Sequence, residues 1–430
     1  MVRSWPRPSV PALPGTGTPP RIYDTVGDAI VDTGGRSEAS LYVCGITPYD
    51  ATHLGHALTY LAFDTLQRVW LDAGIAVHYT QNVTDVDDPL LERAGRDGIG
   101  WQELAESQVE LFRADMTALR ILPPEAYLGV TETVGPIAEA VAELLRRGLA
   151  YRVPVEDEPG APTGQAVSGR ADVYFDSRAA ERATDWSLQG LGWSREEMIA
   201  TSAQRGGDPD RAGKRDPLDP LLWRAERAGE PAWDAPEIGR GRPGWHIECS
   251  VIAKETLGVP ITVQGGGVDL QFPHHAFSDG QVRALAGQRL ARSYMHVALL
   301  SYRGEKMSKS LGNLEFVSRL LAAGARPGAV RLALLSRSYR VPWEWTPAAL
   351  QEAEARLDRW TAAFQDGREA PEEDIFPATV LLERVRERLA ADLDTQGAIE
   401  AVDEAAEHTV DDPALVRALV DALLGVELAG

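Results

Sequence analysis

Apolar positions in the first 150 residues alternate between two spacings, which predicts a strand–helix–strand order. The run SLYVC (40–44) is rich in β-formers and ends at a glycine turn, as is typical of a buried strand. Gly74 stands where a glycine commonly ends a helix, and VHYTQNVTD (77–85) is the next strand candidate. Strand, helix and strand in this order predict a parallel unit with a right-handed crossover. The apolar positions on one helical face between them are Leu54, Leu58, Leu61, Ala62, Thr65 and Val69.

The pattern changes twice further along the chain, which predicts separate regions. Residues 154–220 are turn-rich and charged, so we expect an inserted connecting region there. Strand-like ITVQ (261–264) and YMHVALLS (294–301) follow, and helical spacing dominates after Ser310. We therefore expect an α/β fold with a parallel sheet, an insertion and a C-terminal helical bundle. The predicted bounds are an extended segment at 1–36, the first half of the α/β domain at 37–150, the insertion at 151–220, its second half at 221–320, and the helical domain at 321–430.

Charge and cysteine content narrow the class of protein. The 430 residues carry a formal net charge of -21, which disfavours a large nucleic-acid interface because phosphate backbones are bound by Lys and Arg. Two cysteines 205 positions apart do not suggest a secreted disulfide scaffold. We find no apolar run of membrane-spanning length and expect a soluble cytoplasmic protein.

His53 and His56 lie between the first predicted strand and the helix that follows it. By spacing alone, His-x-x-His can be a metal pair, a surface pair or neither. Its position favours a phosphate site, because the free N–H groups and the dipole of a helix start attract anions. The crevice beyond the strand ends is also the usual ligand site of an open α/β sheet.

A second basic motif is KMSKS (306–310), with Lys306 and Lys309. Two lysines three apart can be an ordinary solvated face. This pair follows a predicted strand and precedes a turn signal at Gly312–Asn313. A loop with two cations there is suited to hold a polyphosphate and to stabilise departing pyrophosphate.

The ordered pair HLGH and KMSKS resembles the signature motifs of class I aminoacyl-tRNA synthetases. The segments YVCG, TDVDD, GRPGWHIECS, GGGVDLQFPHH and KMSKSLGN are together similar to cysteinyl-tRNA synthetase and to its relative, the mycothiol-biosynthesis ligase. The similarity covers most of Leu41 to about Trp345. It implies a Rossmann-like class I fold and an enzyme that activates an amino acid with ATP.

Cys44, Cys249 and His274 match the zinc ligands of the cysteinyl family. Spacing alone does not indicate a zinc site, and two buried small apolar residues are the alternative for the cysteines. The resemblance implies one Zn²⁺ per chain with an open position for the substrate thiolate, which would select cysteine over serine. The tRNA enzymes have a further glutamate where this chain has Ser278, so we expect no fourth protein ligand. We expect His275 to be a neighbour of the metal rather than a ligand. Asp279 is a less favoured candidate for the fourth ligand position.

Two features favour the mycothiol family over the tRNA enzymes. QRGGDP (204–209) resembles its ERGGDP element, and the 120 residues after Ser310 are few for a helical bundle plus an anticodon-reading module. The resemblance implies an ATP-dependent amide-forming ligase that joins L-cysteine to an amino-sugar inositol, acting as a monomer without nucleic acid, with Mg²⁺ arriving on ATP. The alternative is a cysteinyl-tRNA synthetase. A catalytically silent nucleotide-binding relative is disfavoured, because all four polar signature residues are present.

The resemblance also assigns roles. His53 and His56 are expected to stabilise charge on the α-phosphate, and Lys306 and Lys309 to neutralise pyrophosphate. Trp245 is read as an apolar wall for cysteine or as a core aromatic, and Asp269 as a ligand of the cysteine ammonium or ribose or as a turn residue. The expected adenylate contacts are Cys44, Gly45, Ile46, Thr47, Thr59, Asn82, Val83, Thr84, Trp245, Gly267, Val268, Asp269 and Leu300.

Two groups remain open at this point. Asp85, Asp87 and Asp88 can bind a metal, but a solvated turn with a helix cap at Asp88-Pro89 is the favoured interpretation. The base that takes the proton from the sugar amine is not identified, with His246 and His296 among the candidates.

Overall fold

The computed structural model describes residues 2–49, 52–155, 170–307, 313–367 and 375–428. No helix in these ranges combines the length and the apolar character needed to cross a membrane. The strands are β1 (Arg21–Asp24), β2 (Ala29–Asp32), β3 (Glu38–Val43), β4 (Ala76–Val83), β5 (Ala126–Gly129), β6 (Ala150–Pro154), β7 (Ala171–Phe175), β8 (Leu221–Ala225), β9 (Gly241–Pro243), β10 (Ile261–Gly267), β11 (Ala291–Val297), β12 (Leu300–Tyr302), β13 (Glu305–Lys306), β14 (Trp343–Trp345), β15 (Ile375–Phe376) and β16 (Thr409–Val410). The α-helices are α1 (Leu54–Asp72), α2 (Asp88–Asp97), α3 (Trp101–Ala118), α4 (Val134–Arg146), α5 (Ser177–Ala183), α6 (Arg195–Gln204), α7 (Trp245–Leu257), α8 (Ala276–Ala286), α9 (Val317–Ala322), α10 (Pro327–Leu335), α11 (Pro347–Ala363), α12 (Ala378–Ala390), α13 (Thr395–Ala405) and α14 (Pro413–Leu419).

A five-stranded sheet forms the centre of the fold. Its order is β11–β10–β3–β4–β5, and every neighbouring pair is parallel. Val43 is in register with Gln81 on one side and with Gly265 on the other. The strands expected near 40–44, 77–85 and 261–264 are β3, β4 and β10, so the expected α/β fold is confirmed. Their carboxyl ends meet at one edge, where open parallel sheets bind ligands.

Helix α1 connects β3 to β4 and is buried along most of its length. All six apolar positions that predicted it are buried. Gly74 directly follows the C-cap residue Ala73 and has a φ of 73°, so the helix ends where the sequence predicted. Because β3 ends at the ligand edge of the sheet, α1 begins there too.

A buried ion network holds α1 against the C-terminal helices. The Asp64 carboxylate accepts hydrogen bonds from Arg68 Nε at 2.7 Å and from Arg331. Both guanidinium groups also donate to main-chain oxygens, Arg68 to Asp421 at 2.9 Å and Arg331 to Leu119 at 2.7 Å. Buried charges need such complete pairing to be tolerated, and the network therefore fixes the helix that carries the two signature histidines.

A second, four-stranded antiparallel sheet has the order β6–β7–β8–β9. Its last two strands lie at 221–225 and 241–243, beyond the end predicted for the insertion. The domain bounds given above remain predictions.

The C-terminal region is helical, with breaks that the periodicity did not indicate. Asp392 and Leu393 have φ values of 59° and 52°, which end α12 and turn the chain into α13. The apolar spacing continues through this turn because both helices bury a face against the same core.

Candidate functional site

The HLGH segment (53–56) lies beside the residues that follow the KMSKS segment (306–310). His53 forms an antiparallel bridge with Phe316, and the N–H of Leu54 donates to the carbonyl of Glu315 at 2.9 Å. The two motifs are about 250 residues apart in sequence. The fold thus brings their neighbourhoods together.

The structure describes only the start of the KMSKS segment itself. The backbone of Lys306 pairs with Ser301 of β12, and the following Met307 is buried. Residues 308–310, which include Ser308, Lys309 and Ser310, lie outside the described ranges. The roles expected of both lysines stay predictions.

His53 and His56 stack at the start of α1, with ring centroids 3.7 Å apart. The Nδ1 atom of His53 accepts from the N–H groups of Gly55 at 3.1 Å and His56 at 3.4 Å, so this imidazole caps the helix. Thr59 donates its hydroxyl to the carbonyl of Gly55 at 3.1 Å. The two rings therefore lie at the positive end of the helix dipole, while the Thr59 hydroxyl is engaged by the helix backbone.

The turn after β3 is hydrogen-bonded to the end of β4. The side-chain oxygen of Asn82 accepts from the N–H of Gly45 at 2.8 Å, and the N–H of Thr84 donates to the carbonyl of Ile46 at 3.0 Å. A Cβ atom at Gly45 would lie only 1.6 Å from the carbonyl oxygen of Asn82, so glycine is required. The predicted contacts in 44–47 and 82–84 are therefore neighbours.

Three residues predicted from the resemblance as metal ligands converge below this turn. The candidate ligand atoms of Cys44, Cys249 and His274 all lie within 4.8 Å of one another, and the two sulfurs are 3.9 Å apart. All three side chains are buried, and among the described residues Nε2 of His274 has no hydrogen-bond partner. A buried polar atom without a partner is costly unless something else satisfies it. The arrangement fits a metal ion.

Further polar side chains surround the sulfur of Cys44. Nε2 of His275 lies 3.2 Å from it, and the side-chain amide of Gln264 donates to it at 3.4 Å. Nδ1 of His275 lies 2.7 Å from Nε2 of His296. Gln264 was not singled out from the sequence, because its contact with Cys44 depends on the register of β10 beside β3. These contacts orient the sulfur.

The other neighbours of His274 bear on the number of ligands. Its Nδ1 atom lies 3.0 Å from Nδ1 of His246, and the Ser278 hydroxyl donates to the carbonyl of His246 at 3.3 Å. The Asp279 carboxylate accepts from Arg283 at 2.8 Å and from the N–H of Leu290 at 2.7 Å. Asp279 is not a member of the Cys44, Cys249 and His274 cluster found among the described residues, and the Ser278 hydroxyl is engaged by a main-chain carbonyl.

The two thiols differ in their ease of ionisation. The Cys44 thiol, which donates to the other sulfur, holds the pKa of Cys249 well below its usual range, and the charge of His274 acts in the same direction. Burial raises the pKa of the Cys44 thiol well above its usual range. One thiolate is thus favoured before a cation is bound, and a cation would stabilise both.

Burial keeps the neighbouring histidines neutral. It lowers the pKa of His246 and of His275 well below the usual range, and it lowers the pKa of His296 to about 3. Both nitrogens of His296 are engaged, one by His275 and the other by the hydroxyl of Thr25. Neutral imidazoles accept hydrogen bonds and orient ligands without repelling a cation.

The remaining predicted contacts line the same edge of the sheet. Trp245 is half-buried, with its ring centroid 4.4 Å from that of His274. Gly267 ends β10, and Val268 and Asp269 form the turn that follows. Leu300 is buried in β12, whose sheet also contains Lys306.

The aspartates after β4 serve as caps and ion-pair partners. The cap of α2 is Asp87, whose side chain accepts from the N–H of Asp88, so the cap expected at Asp88-Pro89 lies one residue earlier. Asp88 pairs with Arg242. Asp85 accepts from the N–H and the hydroxyl of Thr131 at 2.9 and 2.6 Å. None of the three belongs to the metal-binding group found in the described ranges.

Comparisons with known proteins identify the family and the fold. The family described as "tRNA synthetases class I (C) catalytic domain" matches residues 30–355. A methionyl-tRNA synthetase from Mycobacterium tuberculosis, solved with methionyl-adenylate, has a TM-score of 0.59 at 18% identity and covers 90% of this chain and 92% of its own. That likeness shows a shared fold.

Two curated relatives are much closer in sequence. An L-cysteine:1D-myo-inositol 2-amino-2-deoxy-alpha-D-glucopyranoside ligase from Clavibacter michiganensis subsp. michiganensis is 56% identical over 430 residues, which cover 99% of each protein. A ligase of the same name from Kineococcus radiotolerans is 54% identical over 439 residues, covering 99% of this chain and 100% of the relative.

Proposed function

We infer the function from one premise: the chain belongs to the family of L-cysteine:1D-myo-inositol 2-amino-2-deoxy-alpha-D-glucopyranoside ligases, which carry a class I synthetase catalytic domain. It is an ATP-dependent ligase of mycothiol biosynthesis that joins the carboxyl of L-cysteine to the amine of an amino-sugar inositol, releasing AMP and pyrophosphate. The observation that carries this conclusion is the 56% identity over 430 residues to a ligase of that name.

We propose that Cys44, Cys249 and His274 hold one zinc ion. Two sulfurs and an imidazole nitrogen are donors that zinc prefers, and the Nε2 atom of His274 has no hydrogen-bond partner in the part of the chain that the structure describes. Zinc bound there supplies a soft Lewis acid for the thiolate of cysteine, an attraction that the hydroxyl of serine does not match. Ser278 donates to a carbonyl, which supports three protein ligands.

In the first step, a carboxylate oxygen of cysteine attacks the α-phosphorus of ATP, and the bond to the β-phosphate oxygen breaks. We propose that His53 and His56, stacked at the start of α1, stabilise the charge that develops on the α-phosphate. Lys306 and Lys309 neutralise the departing pyrophosphate, and Mg²⁺ arrives with ATP.

In the second step, the amine of the sugar attacks the carbonyl of cysteinyl-adenylate and AMP leaves. Both nitrogens of His296 are already engaged, which disfavours it as the base. His246 has one nitrogen beside His274 and remains a candidate.

The adenylate is proposed to lie against the joined turns after β3 and β4 and the turn after β10. Trp245 would form an apolar surface against the cysteine side chain, because its ring lies against that of His274. Asp269 would bind the ammonium or the ribose. The proposed contacts are Cys44, Gly45, Ile46, Thr47, Thr59, Asn82, Val83, Thr84, Trp245, Gly267, Val268, Asp269 and Leu300.

The alternative is a cysteinyl-tRNA synthetase. The observation in its favour is the match of residues 30–355 to the class I (C) tRNA synthetase catalytic domain. The test supplies ATP and cysteine and compares AMP release with the amino-sugar inositol and with cysteine tRNA. Turnover with the amino sugar alone is expected, and turnover with tRNA alone would overturn the assignment. We further propose a cytoplasmic monomer that acts without nucleic acid, in line with the net charge of -21.

A further inference from the structure

A cavity of about 510 Å³ lies between α3 and the loop that follows β4. Trp101, Trp233, Asp85 and Glu106 are among the residues that line it. Small-molecule sites commonly measure about 300–1,000 Å³. We propose that this cavity binds the amino-sugar inositol acceptor, an amine-bearing polyol of two rings. The proposal rests on the proposed function and locates its second substrate.

The position of the cavity fits an acceptor site. Asp85 directly follows Thr84, a proposed adenylate contact, so this part of the lining belongs to the segment that leaves the candidate site at the end of β4. Trp233 exchanges two main-chain hydrogen bonds with Gly241, at 2.7 and 3.0 Å, and β9 then leads to Trp245. Both walls are therefore extensions of segments that flank the proposed cysteine site.

The charges and rings of the cavity fit an aminated polyol. The lining has more acidic than basic residues, four against two: Asp85, Glu106, Glu110 and Glu132 against Arg3 and Arg113. Arg113 is engaged by Glu110 and by the carbonyl of Ser4, whereas Glu106 has no ion pair or hydrogen bond with any residue that the structure describes. The free carboxylate attracts an ammonium group. Indole faces pack against sugar C–H surfaces and also attract cations. A phosphate-rich RNA end is disfavoured by the same carboxylates.

Two other cavities fit the acceptor less well. One of about 790 Å³ is lined by Glu38, His78 and Thr262, which lie at the amino ends of the parallel strands, away from the ligand edge. Another of about 160 Å³ lies beside His275 and is smaller than typical ligand sites.

The test uses Glu106→Lys in the full-length enzyme. Glu106 is exposed on α3, so the variant is expected to fold. Glu103→Lys is the matched control, because Glu103 is exposed on the same helix but does not line the cavity. Two reactions are measured for each protein: cysteine-dependent exchange of pyrophosphate into ATP, and AMP release with the amino-sugar inositol. A second variant, Trp233→Ala, is compared after its melting temperature is recorded.

Glu106→Lys is expected to raise the KM for the amino sugar about tenfold or more while exchange stays within about twofold of wild type. Glu103→Lys should change neither. An unchanged KM in both Glu106→Lys and Trp233→Ala, with a wild-type enzyme that turns over the amino sugar, would overturn this site alone. A wild-type enzyme that does not turn over the amino sugar would instead overturn the proposed function.

Discussion

The sulfur atoms of Cys44 and Cys249 lie 3.9 Å apart although 205 residues separate them in the chain. Cys44 follows β3 and Cys249 lies in α7, and the turn that carries Cys44 is held by Asn82 at the end of β4. His274 completes the group. The site exists only in the folded chain, so changes to the turn after β3 should disturb metal binding and adenylate formation together.

Replacing His56 should slow adenylate formation. His56→Gln removes a ring stacked on His53 at the start of α1, and we expect kcat for pyrophosphate exchange to fall about 10²–10³-fold. His78→Gln is the control, because His78 is at the opposite end of the sheet and pairs with Glu125. Equal rates for His56→Gln and wild type would refute the role of the histidine pair.

The glycine in the turn after β3 should be intolerant of any side chain. Gly45→Ala places a Cβ atom 1.6 Å from the carbonyl oxygen of Asn82, so the turn must move. We expect a loss of about 1–3 kcal/mol in the free energy of unfolding and a marked loss of exchange activity. Gly95→Ala, in an open position of α2, should be neutral or slightly stabilising. Equal free energies of unfolding and equal exchange activities in the two variants would contradict the close contact between Gly45 and the carbonyl of Asn82.

Stability should depend on the protonation of Asp115, a buried carboxyl on α3. Burial raises its pKa to about 7, while the unfolded value is about 4. The folded state therefore holds a proton that the unfolded state has released between about pH 4 and pH 7, so the free energy of unfolding falls as pH rises across this interval. Asp115→Asn should flatten that fall and raise the melting temperature at pH 8.

The melting temperatures of wild type and Asp115→Asn, measured from pH 5 to pH 8, check this prediction. The exposed Asp210→Asn serves as the matched control. Parallel curves for all three proteins would show that Asp115 does not titrate in this range.

His275 should tune metal affinity without being a ligand. Its Nε2 atom lies 3.2 Å from the sulfur of Cys44, and His275→Gln loses the ordered link to His296. We expect zinc affinity to weaken about 10–100-fold, measured by competition with a chelator. His408→Gln, in the C-terminal region, should keep wild-type affinity. Complete loss of zinc at all concentrations would indicate that His275 is itself a ligand.

Strands β3, β4 and β10 of the central sheet were predictable because they are β-rich runs bounded by turns, whereas β5 was not predicted. Leu41 and Val43 in β3 illustrate this pattern, and both are fully buried. The small antiparallel sheet was not predicted, since β7 lies in the turn-rich range 154–220 and its partner β8 follows only after some 45 further residues. The break at Asp392 was also missed, because the apolar spacing that marks helices continues through it.

The ligand set was recognised through resemblance, since nothing in the spacing of Cys44, Cys249 and His274 indicates a shared site. The contacts of Gln264 could not be predicted, because they depend on the register of β10 beside β3. The helix cap was placed one residue late, because Asp87 and Asp88 are both good caps and only the backbone geometry selects between them.

The most direct test combines zinc content with amino-acid preference in Cys249→Ser. Wild type is expected to hold one zinc per chain and to support pyrophosphate exchange with cysteine far better than with serine. The variant is expected to lose the zinc and that preference together, because the thiolate then lacks its soft partner. Undiminished preference for cysteine in a variant shown to be free of metal would contradict the account.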